Sequence, residues 1–230
     1  FRNLGPSIKS EKIINKNFEK FSKNITENQK KLIISNMWSN YGKTFIEYIF
    51  LKKFKSNNSH INIEGEDILN KIFENNKPVI FISGHFANFE LMSMEITKRN
   101  IKLATIYRPL NNFFLNPLME FLRKKYICKY QIKKGLGGVK ESIKYINKGY
   151  SVALMIDQRV SEGEKIKFFE HEALTTTLPA QLAIKFNLNI VPIFIERNKN
   201  NIFNIKVHDP VETINYNKKN LSEELNKILE

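Results

Sequence analysis

Cysteine is almost absent from this sequence, and so are long apolar runs. Cys128 is the one cysteine in 230 residues, so no disulfide can form within the chain, and a reducing compartment is the simpler expectation. No apolar run approaches the roughly 20 residues needed to cross a bilayer, and no signal peptide is visible. The sequence therefore offers neither a disulfide framework nor a spanning helix as its organising element.

Acidic side chains are also in the minority. The chain has 23 Asp and Glu against 37 Lys and Arg, which gives a formal net charge of +14 and a pI near 9.7. A field of this sign attracts nucleic acid, an anionic membrane or an acidic carrier protein, and charge alone does not choose among them. Because there is no arginine-rich cluster and no aromatic RNA-binding signature, a nucleic-acid partner is not expected.

The residues that are present predict one globular domain over residues 1–230. Hydrophobic residues make up 42% and aromatic residues 12% of the chain, which is enough apolar surface for a substantial core. We expect residues 1–55 to form an N-terminal helical layer and residues 56–230 to form an α/β core. The helical layer is aromatic and basic, so it could lie on a membrane surface or pack onto the sheet.

The stretch from Val79 to Leu91 is the most informative part of the chain. It begins with four apolar residues after Pro78, which is typical of a short buried strand with a turn in front of it. Ser83 and Gly84 interrupt the run, and helical spacing is predicted from His85 onward. Open α/β folds bind ligands at the ends of their strands, so His85 is a candidate site residue.

The spacing of His85 and Glu90 allows two interpretations. On one continuous helix, residues five apart diverge by roughly 140°, so these two side chains would not meet. If His85 lies just before the helix and Glu90 in its first turns, the carboxylate can reach the imidazole and orient it as a general base. The alternative is a partly buried histidine with a solvent-facing glutamate.

A second predicted strand, Lys102 to Tyr107, delivers Arg108 to the same edge of the sheet. Pro109 disfavours helical geometry at the residue before it, which holds Arg108 extended. An extended arginine at a sheet edge suits the binding of a phosphate or carboxylate. A structural salt bridge is the alternative.

The predicted strand from Ser151 to Ile156 also ends in polar residues, namely Asp157, Gln158 and Arg159. Two buried parallel strands that both end in ionisable groups favour one site along a common edge. In this interpretation Asp157 holds Arg159 or a substrate. An ion pair within the loop is the alternative for both residues.

The remaining histidines give weaker signals. His60 lies at a strand entrance without an obvious partner and is expected to be exposed. His171, between Glu170 and Glu172 in a predicted charged loop, has no second histidine at ligand spacing, so no metal site is expected.

Several motifs resemble one family of enzymes. His85-Phe-Ala-Asn-Phe-Glu90 resembles the H-x-x-x-x-[DE] signature of the glycerolipid and lysophospholipid acyltransferases, and with Ser83-Gly84 before it the stretch is most similar to the lipid A biosynthesis branch. Tyr107-Arg108-Pro109 and Asp157-Gln158-Arg159 resemble two later blocks of that branch. Phe168-Phe169, Thr175 to Ala180, Val191-Pro192 and Arg197 extend the resemblance over nearly the whole chain.

The resemblance implies a fold and a site. The fold would be a mixed, largely parallel central sheet flanked by helices, like that of glycerol-3-phosphate acyltransferases. His85 and Glu90 would be the catalytic general-base pair, and Tyr107, Arg108, Asp157 and Arg159 would bind substrate, with no metal. Members usually carry an N-terminal membrane anchor and a later tryptophan-rich segment, so the chain, which begins with Phe1, is expected to be a fragment that lacks both.

The resemblance also implies an activity. The enzyme would move a fatty acyl chain from an acyl carrier protein thioester to a hydroxyl of a lipid A precursor, an anionic glycolipid. The thioester would be a co-substrate, no other cofactor would be needed, and the place of action would be a membrane surface, the cytoplasmic face of the inner membrane. The alternatives are an acyltransferase for a lysophospholipid or another glycolipid, and a basic nucleic-acid-binding domain.

Overall fold

A computed structural model describes residues 11–21 and 25–230 of the chain. Parts of the predicted helical layer, residues 1–10 and 22–24, lie outside the described residues. The strands are β1 (Ile61–Glu64), β2 (Ile80–Ser83), β3 (Leu103–Tyr107), β4 (Tyr130–Lys133), β5 (Ser151–Met155), β6 (Glu164–Phe168), β7 (His171–Thr175), β8 (Ile190–Arg197) and β9 (Phe203–Val207).

The described helices lie between and around these strands. They are α1 (Glu11–Phe21), α2 (Glu27–Glu47), α3 (Leu51–Ser56), α4 (Glu66–Asn75), α5 (Glu90–Lys98), α6 (Leu115–Leu122), α7 (Leu136–Ile146), α8 (Leu178–Phe186) and α9 (Lys218–Leu229). A 3₁₀ turn (Tyr48–Phe50) joins α2 to α3, and a π turn (Arg123–Ile127) continues α6. Within the described ranges, no helix combines the length and the apolar character needed to cross a membrane.

The central sheet has seven strands in the order β1-β9-β8-β2-β5-β3-β4. Every pairing is parallel except the one between β8 and β9. This confirms the predicted mixed, largely parallel sheet flanked by helices. The strands β2, β5 and β8 lie side by side at its centre, which explains why all three are nearly continuous apolar runs.

The two faces of the sheet carry separate apolar clusters. On one face, Leu91 and Met94 of α5 pack with Phe81 of β2. On the other, Leu182 of α8 and Leu221 of α9 pack with neighbouring apolar residues of the same strands. Helices therefore cover both faces of the sheet, and polar side chains can collect at the accessible ends of its strands.

The segment between β2 and α5 is a loop, contrary to the helical spacing predicted from His85 onward. The helix begins only at Glu90. The Ala87 carbonyl accepts hydrogen bonds from Asn40 Nδ2 at 3.2 Å and Thr44 Oγ1 at 3.1 Å, both from α2, and Ala87 has a φ of +40°. Partners on a distant helix thus satisfy this backbone, which keeps residues 84–89 out of the helix.

The predicted charged loop around His171 is also different in the structure. Residues from His171 onward form β7, which pairs with β6 as an antiparallel hairpin in which Phe168 faces His171. The turn consists of Phe169 and Glu170, which have φ values of +47° and +58°. The hairpin was missed because its turn contains no Gly, Asn or Asp, the residues that usually indicate a positive φ.

His60 is buried, with 8% of its surface exposed, and the prediction that it is exposed was wrong. Its ring stacks on Phe54 with centroids 4.4 Å apart. Neither ring nitrogen has a hydrogen-bond partner among the described residues. Burial, assisted by the nearby charge of Lys98, lowers the pKa of His60 to about 4.

This burial predicts an acid-sensitive contribution to stability. The folded-state pKa of His60 lies below its unfolded value of about 6.5, so the stabilisation is complete above pH 6.5 and is lost as the pH falls towards 4. At pH 5 the loss amounts to roughly 2 kcal/mol. We expect His60→Phe to remove that part of the pH dependence, as measured by urea unfolding at pH 7 and pH 5. An equal loss of stability in the wild type and the variant would contradict the assignment.

Candidate active site

Polar residues from three adjacent strands meet at the carboxyl edge of the sheet. β2 is followed by His85 and β5 by Asp157, and these strands are parallel neighbours. β3, the parallel neighbour of β5 on its other side, leads into Arg108. The topology therefore assembles the three predicted blocks at one edge, as expected from the ends of parallel strands.

His85 and Asp157 form a close, two-point contact. His85 Nδ1 lies 2.7 Å from Asp157 Oδ1, and the backbone N–H of His85 donates to Asp157 Oδ2 at 2.9 Å. Burial opposes ionisation of Asp157, but the contacts with His85 outweigh it, so the pKa of this carboxyl lies below its ordinary value. An ionised Asp157 fixes the imidazole in place and favours a proton on Nδ1, which leaves Nε2 as the acceptor.

Nε2 of His85 faces the exposed loop after β5. Gln158 Nε2 lies 3.5 Å from it, too far for a strong hydrogen bond. The His85 side chain is 30% exposed. The Phe89 ring packs edge-on against the imidazole, with ring centroids 4.6 Å apart. The imidazole is thus held on one side and accessible on the other.

Glu90 has different partners from the one predicted for it. Its Oε1 accepts hydrogen bonds from the Tyr48 hydroxyl and from Arg123, at 2.8 Å from Nε and 2.5 Å from Nη2. The structure therefore corrects the predicted pairing: the carboxylate on the His85 ring is Asp157. The loop before α5 separates Glu90 from the ring. Asp157, which was expected to hold Arg159 or a substrate, contacts His85 instead.

The Glu90 network is buried and charged. Burial raises the pKa of the Tyr48 hydroxyl, and the negative charge of Glu90 raises it further. For Arg123, burial favours the neutral form, but the charge of Glu90 more than offsets it and the pKa of the guanidinium is raised. The guanidinium carbon of Arg123 also lies over the Tyr107 ring, 5.6 Å from its centroid. These contacts join the 3₁₀ turn after α2, the start of α5 and the π turn at one buried point.

A cavity of about 430 Å³ adjoins both His85 and Glu90, within the usual size range of ligand pockets. Its cationic and amide lining comes from Arg108, Arg123, Gln131, Lys134 and Gln158, and its apolar lining includes Ile106, Pro109, Ile127, Leu154, Val160 and Leu178. The cavity therefore offers both apolar walls and cationic groups beside the imidazole.

The structure distributes the predicted site residues unequally. Tyr107 and Arg108 line the cavity with His85 and Glu90, and the Tyr107 hydroxyl donates to Glu120 at 2.7 Å. Arg159 is exposed, whereas its neighbours Gln158 and Val160 supply this loop's part of the cavity wall.

Sequence reasoning missed several residues of the cavity and its surroundings. Arg123 precedes two lysines and looks like part of a solvated basic run, yet it is buried. Tyr48 looks like one of many aromatic residues of a helical layer. Lys134 follows β4, the strand next to β3, so the parallel-edge argument applied to Arg108 could have found it.

A larger cavity of about 610 Å³ lies beside α2 and β8. Its lining includes Phe86, Ala87 and Arg197, but not His85, Asp157 or Glu90. Arg197 there is paired with Glu47 at 2.7 Å in a mostly buried ion pair. Because size without reactive groups does not define a catalytic site, we place the candidate active site in the smaller cavity.

Comparison with known proteins identifies the family. Among residues 11–21 and 25–230, no cluster of three or more His, Cys, Asp or Glu side chains is suited to a metal ion. No curated protein matches the chain significantly. The family described as bacterial lipid A biosynthesis acyltransferase matches residues 3–230, nearly the full length of the sequence, and the chain therefore belongs to this family of O-acyltransferases.

Proposed function

We propose that this enzyme transfers a fatty acyl chain from the thioester of an acyl carrier protein to a hydroxyl of a lipid A precursor, with His85 as the general base. The observation that carries the proposal is the contact of His85 Nδ1 with Asp157 at 2.7 Å, beside a cavity that the same imidazole lines. Family membership supports the class of reaction. The cytoplasmic face of the inner membrane is the proposed place of action.

The proton movements follow from the orientation of the imidazole. The acceptor hydroxyl donates its proton to His85 Nε2 as its oxygen attacks the thioester carbonyl, and Asp157 stabilises the imidazolium that forms. The tetrahedral intermediate then collapses, the C–S bond breaks and the thiolate leaving group takes the proton back from His85. No covalent acyl-enzyme is required, and the thioester is the only co-substrate in the scheme.

Arg123 is the proposed stabiliser of the oxyanion. Its Nε and Nη2 donate hydrogen bonds to Glu90, but its buried Nη1 has no hydrogen-bond partner among the described residues. A buried donor left without a partner is costly, which favours a ligand group that completes it. In this assignment Glu90 is a positioning residue, since it holds Arg123 at the cavity.

Arg108 and Lys134 are the proposed ligands of an acidic group on the acceptor. Both line the cavity and both are exposed enough to meet a ligand. The planar guanidinium of an arginine can donate two parallel hydrogen bonds to a phosphate, and the ammonium of a lysine adds a positive charge. The pair would thus recognise an anionic glycolipid, with the acceptor hydroxyl directed towards His85.

Removal of either cation should therefore raise KM more than it lowers kcat. A hydrogen bond to a charged group contributes about 1.5–3 kcal/mol, so we expect Arg108→Ala and Lys134→Ala to raise KM for a phosphorylated acceptor by about 10- to 100-fold. Arg159→Ala is the matched control, because Arg159 is outside the cavity lining, and it should change KM by less than about threefold. A larger effect of Arg159→Ala than of Arg108→Ala would contradict the assignment.

The activity itself is tested by offering radiolabelled acyl carrier protein thioester to the purified enzyme with separate lipid acceptors. We expect transfer to a lipid A precursor and much slower transfer to lysophosphatidate. Preference for the lysophospholipid would overturn the acceptor assignment, and preference for a coenzyme A thioester would overturn the donor assignment. Tight, salt-dependent RNA binding without acyl transfer would overturn the enzyme assignment for this cavity.

A further inference from the structure

A cluster of exposed apolar side chains lies beside the mouth of the candidate active site. We call it the apolar cap; it consists of Leu110, Phe113, Phe114, Leu115, Leu118 and Phe121. Phe113 and Phe114 are 84% and 86% exposed, which is unusual for two neighbouring phenylalanines. Their rings contact each other with centroids 5.8 Å apart, and exposed apolar groups of this kind mark an interaction surface.

The cap is adjacent to the cavity and has a defined backbone. Leu110 belongs to both the cap and the cavity lining. The Asn112 side chain accepts from the backbone N–H groups of Phe114 and Leu115, both at 3.0 Å, and Asn116 accepts from that of Leu110 at 2.8 Å. These contacts hold the loop in a conformation that presents its phenylalanines to the surroundings.

The surface around the cap is strongly cationic. Residues 108–134 contain seven Arg and Lys, all exposed except the buried Arg123, but a single acidic residue, Glu120. That carboxylate is hydrogen-bonded to Tyr107 and Asn116. Lys124, Lys125, Lys133 and Lys134 are exposed, and the Lys125 ammonium lies 5.2 Å from the Phe121 ring centroid. Exposed aromatic residues bordered by lysines are typical of surfaces that bind anionic lipid.

We propose that the apolar cap inserts into an anionic lipid bilayer, with the surrounding lysines at the headgroups, and that it thereby places the mouth of the cavity against the membrane. The inference rests on the proposed function, since a lipid acceptor could then enter the cavity past Leu110 without leaving the bilayer. Charge and position both favour this occupant: the rim is cationic, and the cap continues directly into the cavity proposed to take the lipid.

Vesicle binding of the 230-residue chain tests the cap. We expect Phe113→Ser/Phe114→Ser to lower the partition coefficient onto vesicles of 30% phosphatidylglycerol and 70% phosphatidylcholine by at least tenfold, with an unchanged unfolding midpoint. Ile214→Ser is the matched control, because Ile214 is also highly exposed, at 76%, but lies away from the cap. It is three residues after Val211, which pairs with Ile190 at the amino end of β8, whereas the candidate site is at the carboxyl ends of the parallel strands. The control should change binding by less than twofold.

Activity in two settings separates this inference from the proposed function. With acceptor dispersed in detergent, the double variant should match the wild type, whereas with acceptor embedded in vesicles its turnover should fall at least tenfold. A wild type without transfer in detergent would refute the proposed function and leave the vesicle result interpretable. Unchanged vesicle binding by the double variant would overturn the cap proposal. A raised KM for the carrier protein donor in detergent would mean that the cap binds the donor, and loss of a dimer would mean that it binds a second copy of the chain. Either result would also overturn the proposal.

Discussion

Replacing His85 with Ala should lower kcat for acyl transfer by about 10²- to 10⁴-fold while the protein remains folded. The reason is that general-base assistance by a positioned imidazole contributes a factor of this size. The side chain is partly exposed and its ring contacts are few, so its loss should change the free energy of unfolding by about 1 kcal/mol or less. Steady-state kinetics and urea unfolding of the same preparation measure both quantities.

Further variants provide a control for His85→Ala and test whether His85 and Asp157 act together. His171→Ala removes an exposed histidine on β7 and should leave kcat within about twofold of the wild type. Asp157→Asn should lower kcat in the same direction, because the amide no longer stabilises the imidazolium. If His85 and Asp157 act as one unit, the double variant should be about as slow as His85→Ala alone. Additive losses, or full activity in a folded His85→Ala variant, would refute the dyad.

Replacing Glu90 with Ala should destabilise the protein by about 3–5 kcal/mol, because it leaves the Arg123 guanidinium buried without its counter-ion. Side chains of Arg123 and Glu90 are only 10% and 9% exposed, so water cannot take over the lost contacts. The Tyr48 hydroxyl loses its acceptor as well. The free energy of unfolding from urea titration, monitored at the unique Trp38, measures the loss.

An exposed ion pair provides the control for this prediction. Glu172 lies 3.6 Å from Lys165, with side chains that are 70% and 72% exposed, so Glu172→Ala should cost less than about 1 kcal/mol. Replacing both buried charges, as Glu90→Leu/Arg123→Met, should recover much of the stability but not the activity. A loss below about 1 kcal/mol in Glu90→Ala would mean that Arg123 finds another partner.

The sequence predicted the sheet and the edge that carries the site. Apolar runs bounded by Pro, Gly or polar residues correctly located β2, β3 and β5, and their parallel arrangement brought His85, Arg108 and Asp157 to one edge. Such runs are informative because central parallel strands must be apolar on both faces. The motif spacing, by contrast, suggested the wrong carboxylate for the imidazole.

What the sequence did not predict depends on contacts between distant residues. Asp157 is 72 positions from His85 and Arg123 is 33 from Glu90, so neither pairing follows from local spacing. The burial of His60 likewise depends on Phe54 and Phe203. Residues 84–89 lack helical geometry because Asn40 and Thr44 hold the Ala87 carbonyl, and no local pattern shows this.

The positive φ of Ala87 gives α2 a role in activity as well as in packing. A non-glycine residue in this backbone region costs on the order of 1–3 kcal/mol and persists only when its surroundings enforce it. The enforcing groups are side chains of α2, so the segment that carries the imidazole would relax if that helix were cut away. A trimmed chain that begins at residue 56 would then retain much of its sheet and yet be inert as an enzyme, and the two properties would be lost at different points of a stepwise truncation.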